Sequence, residues 1–294
     1  MSLSPSLQDV DVPAWWQRLG LPGLFDVHVH FLPERVQAKV WEQFDLGGPL
    51  IGRPWPIRYR GTDTERVVRL RALGVRRFSA LSYAHRPGMA EFLNDWAADF
   101  ADRVPECLRS ATFFPEDGVG EYVEKRLDAG AEIFKVHVQV GAFDLRDPRL
   151  DAVWGLLAEA GTPVVIHAGS GPVGTEFTGP DPMRSVLGRH PRLTAVIAHM
   201  GSPEYREFHE LAERFPRVHL DTTMIWTTFF EDAAPYPPDL VPRLLDLGDR
   251  VLLGSDFPNI PYAYGHQLEV IERLGLGDGW LRAVCWENGS RLFT

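Results

Sequence analysis

Apolar runs recur along the chain, and helix-patterned segments separate them. Eight runs read as strands: Leu24–His30, Arg76–Tyr83, Arg109–Phe114, Ile133–Val138, Pro163–Ala168, Thr194–His199, Val218–Thr222 and Val251–Asp256. They are rich in Val, Ile and Phe and nearly continuous, the pattern of strands buried on both faces. Between them lie helical signals. Asp63-Thr64-Glu65 opens a helix through Arg66–Leu73, which stops at Gly74; the acidic first turn and terminal glycine mark its ends. Pro87–Arg103 sets Met89, Phe92, Leu93, Trp96 and Phe100 at helical spacing. Ser202-Pro203-Glu204 reads as the cap and first turn of Tyr205–Phe215. Alternation repeated eight times predicts an α/β fold with a parallel sheet, whose simplest closed form is a single (β/α)8 TIM barrel with long βα loops. On this reading residues 1–294 form one domain, with an N-terminal extension over 1–22 and a loop insertion at about 41–61. The alternative is an open doubly wound sheet, but no G-x-G-x-x-G loop follows the first run.

Four stretches rich in Pro, Gly and aromatic residues interrupt the pattern: Trp41–Gly61, Gly169–Pro182, Thr223–Leu240 and Phe257–His266. Each follows a predicted strand or its short extension. In a barrel such loops gather on the face where ligands bind. Trp55, Phe177, Trp226, Phe229, Phe230, Tyr262 and Tyr264 would then line or cover a pocket, or else pack the loops onto the rim.

Four runs also end in side chains that can hold a metal. They are Asp26-Val27-His28-Val29-His30, Val165-Ile166-His167-Ala168, Ile197-Ala198-His199-Met200-Gly201 and Leu253-Gly254-Ser255-Asp256. A period of two sets His28 and His30 on one face, with Asp26 one step deeper. Barrel closure brings the eighth strand beside the first, so Asp256 approaches them. His167 and His199, on the fifth and sixth strands, complete an arc. Imidazoles and a carboxylate from separate strand ends suit one divalent cation, with zinc the first choice and manganese, iron or cobalt also compatible. Lys135 and His137 share a face on the fourth strand. The expected substrate contacts are Trp55, Phe177, Trp226, His137 and Tyr262.

Composition narrows the partners. The formal net charge of −10 argues against a nucleic-acid backbone. Two cysteines in no spacing pattern argue against a disulfide scaffold, and a reducing cytoplasm is the expected location. No basic-then-apolar segment opens the chain, and no apolar run approaches the roughly 20 residues of a membrane span. The expected partner is a small-molecule substrate, and a homodimer is the base-rate assembly.

The motifs resemble a known family. Phe25-Asp26-Val27-His28-Val29-His30-Phe31-Leu32-Pro33, with the His167, His199 and Asp256 segments above, are similar to the amidohydrolase superfamily. The nearest resemblance is to the amidohydrolase-related branch, which includes aminocarboxymuconate-semialdehyde decarboxylase-like proteins beside many hydrolases. It extends from residue 24 to about 294, through the terminal Trp286-Glu287-Asn288-Gly289-Ser290-Arg291-Leu292-Phe293. The resemblance implies that His28, His30 and His167 are metal ligands and that Asp256 is a ligand, a general base, or both. His199 would sit just off the metal, and Lys135 would either carry a metal-bridging carboxylate or pair with a substrate carboxylate. One metal is the expectation. The implied function is hydrolysis of a small amide, ester or lactone through a metal-activated water. The alternative is non-oxidative decarboxylation of a small unsaturated or aromatic acid. A third reading is a non-catalytic binding protein on the same scaffold. His85, Arg86, Arg53, Arg58 and Arg60 could meet an anionic substrate, though solvated loops account for them equally.

Overall fold

All eight runs form parallel ladders in the computed structural model, which describes residues 7–47 and 52–294. The strands are β1 (Leu24–Asp26), β2 (Val75–Ser79), β3 (Cys107–Leu108), β4 (Ser110–Thr112), β5 (Ile133–His137), β6 (Val164–His167), β7 (Ala195–Ile197), β8 (Val218–Asp221) and β9 (Val251–Leu252). One ladder runs β1-β2-β3 and the other β4 through β9. Only Arg109 separates β3 from β4, so these are two segments of the third barrel strand. The last strand returns to the first. Val27 N donates to Leu253 O at 2.9 Å, Asp256 N to His28 O at 2.8 Å and His30 N to Phe257 O at 2.7 Å, and Val29 bridges Phe257 in parallel. These bonds close the ring into a (β/α)8 barrel.

Side chains alternate across the strands as the period of two demands. Ile133, Val165, Val196 and Leu252 point into an inner apolar cluster with Phe25 and Val27, while Phe134, Val136, Val164, Ile166, Ala195 and Ile197 join the outer core. Phe293 stacks on Phe25 at 5.4 Å between ring centres, so the chain's terminal segment packs against the inner cluster.

Several boundaries differ from the sequence reading. The ladders are shorter than the apolar runs because the chain turns out of register at their C-terminal ends: His199 and Met200 take φ 52° and 49° just past β7, and Asp256 takes φ 69° past β9. The helix Asp63–Leu73 starts at a Thr62 cap that exchanges bonds with Glu65, and it ends at Gly74 with φ 83°. The helix predicted from Pro87 begins at Ala90. Ser202-Pro203 does not start a helix. Its peptide is cis, the helix is Tyr205–Arg214, and Ser202 O instead accepts Gly171 N at 3.0 Å, tying two βα loops together. The stretch read as irregular over 41–61 begins inside the helix Glu34–Asp45, and residues 48–51 lie outside the described residues. In the N-terminal extension, the helix Val12–Arg18 buries Trp15 and Trp16 against the barrel. Among the described residues no helix is long and apolar enough to cross a membrane.

One buried pair outside the barrel mouth sets an acid limit. His209 is fully buried with Nε2 2.5 Å from Tyr236 Oη, and burial lowers its pKa to about 4. The folded pKa is depressed, so the unfolded chain takes up the proton first as pH falls below 6.5. Stability is therefore complete above 6.5 and declines toward pH 4. Between pH 7.5 and 4.5 this residue is expected to remove about 3 kcal/mol. In urea titrations at those two pH values, His209→Gln should narrow the difference by that amount.

Candidate functional site

Four imidazoles meet at the C-terminal mouth of the barrel, and each has one ring nitrogen committed to an oxygen. His28 Nδ1 lies 2.8 Å from Asp221 Oδ2, and His30 Nδ1 lies 2.8 Å from Leu81 O. His167 Nε2 lies 2.8 Å from Gly171 O, and His199 Nδ1 lies 3.1 Å from Thr223 O. Carbonyl and carboxylate oxygens accept, so these nitrogens carry the hydrogens. The opposite nitrogen of each ring is left as a lone pair. The rings are neighbours: centroids are 5.1 Å apart for His28 and His30, 5.3 Å for His28 and His199, and 4.8 Å for His167 and His199. Burial, reinforced by the Lys135 charge, holds His28 well below the ordinary imidazole range, and burial with the His199 charge does the same to His167.

Asp256 faces this array. Its Oδ1 lies 2.8 Å from His30 Nε2 and 3.7 Å from His28 Nε2. The His30 Nε2 lone pair and a carboxylate oxygen at that distance are two acceptors, which repel unless a proton or a cation lies between them. Burial alone would raise the Asp256 pKa. A protonated His30 would bond it and, with charge on His28 and His199, pull the other way, so that proton-bearing rings hold the carboxyl below its usual range. Donor atoms of His28, His30 and Asp256 lie within 4.8 Å of one another, a buried group that could hold a metal ion. His167 stands outside that closest set, stacked on His137 at 3.9 Å between ring centres.

The floor contains three further charged groups. Lys135 is fully buried with Nζ 3.3 Å from His28 Nε2. Burial brings its pKa down to about 8, while Asp221 and Asp256 pull the other way. Asp221, at the end of β8, was not picked out by sequence reasoning. It accepts His199 N at 2.9 Å and Thr223 N at 3.1 Å as well as the His28 ring, so one carboxylate orients the His28 imidazole and fixes the backbone that carries His199. The signal was present, since Asp221 also ends an apolar run, as His167 does. Asp26 accepts Tyr264 Oη at 2.8 Å, His28 N at 3.1 Å and Ser255 N at 3.2 Å, and burial lifts its pKa to about 7. It braces the floor from below.

Gly254 is required where the floor is tightest. A Cβ there would overlap Thr223 Oγ1 and come within 2.9 Å of His28 Cβ. Gly254→Ala is expected to destabilise the protein by about 2 kcal/mol and to push His28 off Asp221. Urea unfolding checks the first effect and metal titration the second.

A cavity of about 690 Å³ opens above the cluster. His28, His30, His167, His199, Lys135, His137 and Asp256 all reach it, and so does Trp55, whose Nε1 donates to Asn259 O at 2.7 Å. Tyr83 also lines it, with its ring 4.9 Å from that of His137. Three of the expected substrate contacts do not line it. Trp226 packs on Tyr236 at 4.9 Å, Tyr262 donates to Gln267 Oε1 at 3.3 Å and sits against His266, and Phe177, half-buried, packs against the outer core. Aromatic area in a long loop is buried first against the loop's own neighbours. Of the loop cations, His85 reaches the cavity, whereas Arg86, Arg53, Arg58 and Arg60 do not.

The Amidohydrolase family model matches residues 25–294. The chain belongs to the amidohydrolase family. No curated protein matches the chain. Among solved structures, this amidohydrolase is similar to an uncharacterised TIM-barrel protein from Bordetella bronchiseptica, at 18% identity and TM-score 0.73, over 92% of this chain and 98% of that one. It is also similar to 5-carboxyvanillate decarboxylase from Sphingomonas paucimobilis (16% identity, TM-score 0.60, 93% and 99% covered). A third is a probable 2-pyrone-4,6-dicarboxylic acid hydrolase from Acinetobacter baumannii (13% identity, TM-score 0.61, 92% and 99% covered). At these identities the likeness concerns the fold. Amidohydrolases are enzymes, and the family generally binds metal.

Proposed function

We propose that this amidohydrolase hydrolyses a small amide, ester or lactone, using one divalent cation, zinc first, held by His28, His30, His167 and Asp256. The observation that carries the reading is the set of four committed imidazoles: each has its hydrogen fixed on an oxygen and its other nitrogen turned to the cluster, the arrangement that metal-binding histidines require. When bound, a divalent cation supplies Lewis acidity and lowers the pKa of water. The rest falls to the chain. Asp256, held ionised, accepts the proton of the attacking water and passes it to the leaving group. His199 keeps its hydrogen on Thr223 O and so presents the Nε2 lone pair to the cavity, where it accepts a hydrogen bond from the attacking water and aligns it on the substrate carbonyl, whose oxygen gains charge. Lys135, buried beside His28, holds positive charge near the same oxygen. Asp221 keeps the His28 ring and the His199 backbone in place.

Lys135 also favours a second reading, a non-oxidative decarboxylase, because a buried ammonium pairs well with a substrate carboxylate. The two separate by product. Metal-loaded protein is incubated with neutral esters, lactones and amides and, in parallel, with small aromatic and unsaturated acids. Hydrolysis should appear in the first panel, read as titratable acid or released amine; CO2 from the second would replace the hydrolase reading.

The ligand assignment has its own test. His167→Ala is expected to lose metal and turnover together, and His199→Ala to keep its metal and lose turnover by about 100-fold. Metal analysis of both variants checks this, and equal metal loss would contradict it.

A further inference from the structure

The cavity wall is divided. Its floor is the histidine, aspartate and lysine cluster. Above it, Val36, Val40 and Phe44 of the helix Glu34–Asp45 line the space, with Trp55, Met89 and Phe230 from other segments. Val140 and Val173 also line it, and each is 44% exposed. Apolar side chains left in water at a cavity rim gain most when an apolar ligand covers them.

Charge is distributed the other way. No arginine lines the cavity among the described residues, and residues 48–51 (Gly-Pro-Leu-Ile) bring no charge of their own. The nearby arginines are engaged elsewhere: Arg53 lies 3.8 Å over the Phe229 ring, and Arg60 is paired with Asp45. Lys39 reaches the mouth but is largely exposed and bound to Glu42 at 2.7 Å. Lys135 sits in the floor, between the carboxylates of Asp221 and Asp256. An anionic group held against the upper wall would lose water and meet no buried cation, since Lys39 at the mouth is held by Glu42 and, among the described residues, the one other basic group above the floor is the His85 imidazole. Neutral polar atoms fare better, because Gln43 and Gln139 line the same space.

We propose that the substrate is a neutral, lipophilic ester, lactone or amide, with one reacting carbonyl on the cluster, an uncharged alkyl or aryl body against the helix Glu34–Asp45, and no anionic group away from the carbonyl. The head of this molecule rests on the hydrolase reading; the preference for an uncharged tail rests on the wall alone.

The test uses two acetanilides on the metal-loaded full-length protein, one with a 4-butyl tail and one with a 4-(3-sulfopropyl) tail. The sulfonate carries the charge while ligating metals poorly. Binding is read by calorimetry and by quenching of tryptophan fluorescence. The butyl compound should bind at least about thirtyfold tighter, and Val40→Arg, which adds a guanidinium to the wall, should narrow that gap at least about tenfold. A sulfonate tail bound as tightly as butyl in the unmodified protein, or a gap unchanged in the variant, would overturn the proposal. Cleavage is scored separately on the matching phenyl acetates. A thirtyfold tail preference without cleavage supports the wall assignment and removes the hydrolase reading instead.

Discussion

Asp256→Asn is expected to lower kcat/KM by about a thousandfold. Asparagine has nearly the same shape and can still occupy the turn at φ 69°, so the barrel closure through Asp256 N and His28 O survives. What is lost is the charge and the ability to accept a proton. The wild-type carboxyl lies below its usual range, with burial opposing the ionised form and the contact with His30 favouring it. It therefore stays ionised from pH 5 to pH 9, and the deficit of the variant should be constant over that window. Steady-state kinetics on whichever neutral ester or lactone is turned over, at several pH values, measures this. A loss below tenfold would remove Asp256 from the role of base.

His28→Ala should weaken metal binding by more than about 100-fold and abolish turnover with it. The substitution removes a lone pair from the cluster. It also strips Asp221 of the ring that its Oδ2 holds at 2.8 Å and leaves Lys135 without its neighbour at 3.3 Å. Effects of this size follow because outer contacts alone tune metal affinity by 10–100-fold, and here a ligand and its support are lost together. Competition with a chelator measures the affinity, and far-ultraviolet circular dichroism confirms that the barrel persists. Unchanged affinity would place the metal elsewhere.

Much of this was legible in the sequence. Every apolar run became a strand, because strands enclosed by helices outside and by a packed interior must be apolar on both faces, as Val164, Val165 and Ile166 are. The strand-end histidines were legible for the same reason: a polar residue that closes an apolar run in a barrel has only the mouth to face. Pairing was not legible. Asp221 carries the same signal as His167, but its job depends on contacts with His28 and His199 across the mouth, and these are set by strand register. The loop aromatics divide in a way the sequence does not show. Trp55 lines the cavity while Trp226 and Tyr262 pack elsewhere, and composition cannot distinguish them because each gains similar apolar burial in either place. The helix Glu34–Asp45 was half hidden because its cavity-facing stripe, Val36, Val40 and Phe44, is short and flanked by exposed polar residues.

One measurement reaches the centre of this account: elemental analysis of the protein as purified, followed by chelation and re-addition of metal. About one divalent ion per chain is expected, with turnover lost on chelation and restored by one equivalent. A protein that turns over substrate fully with less than about a tenth of an ion per chain would contradict it.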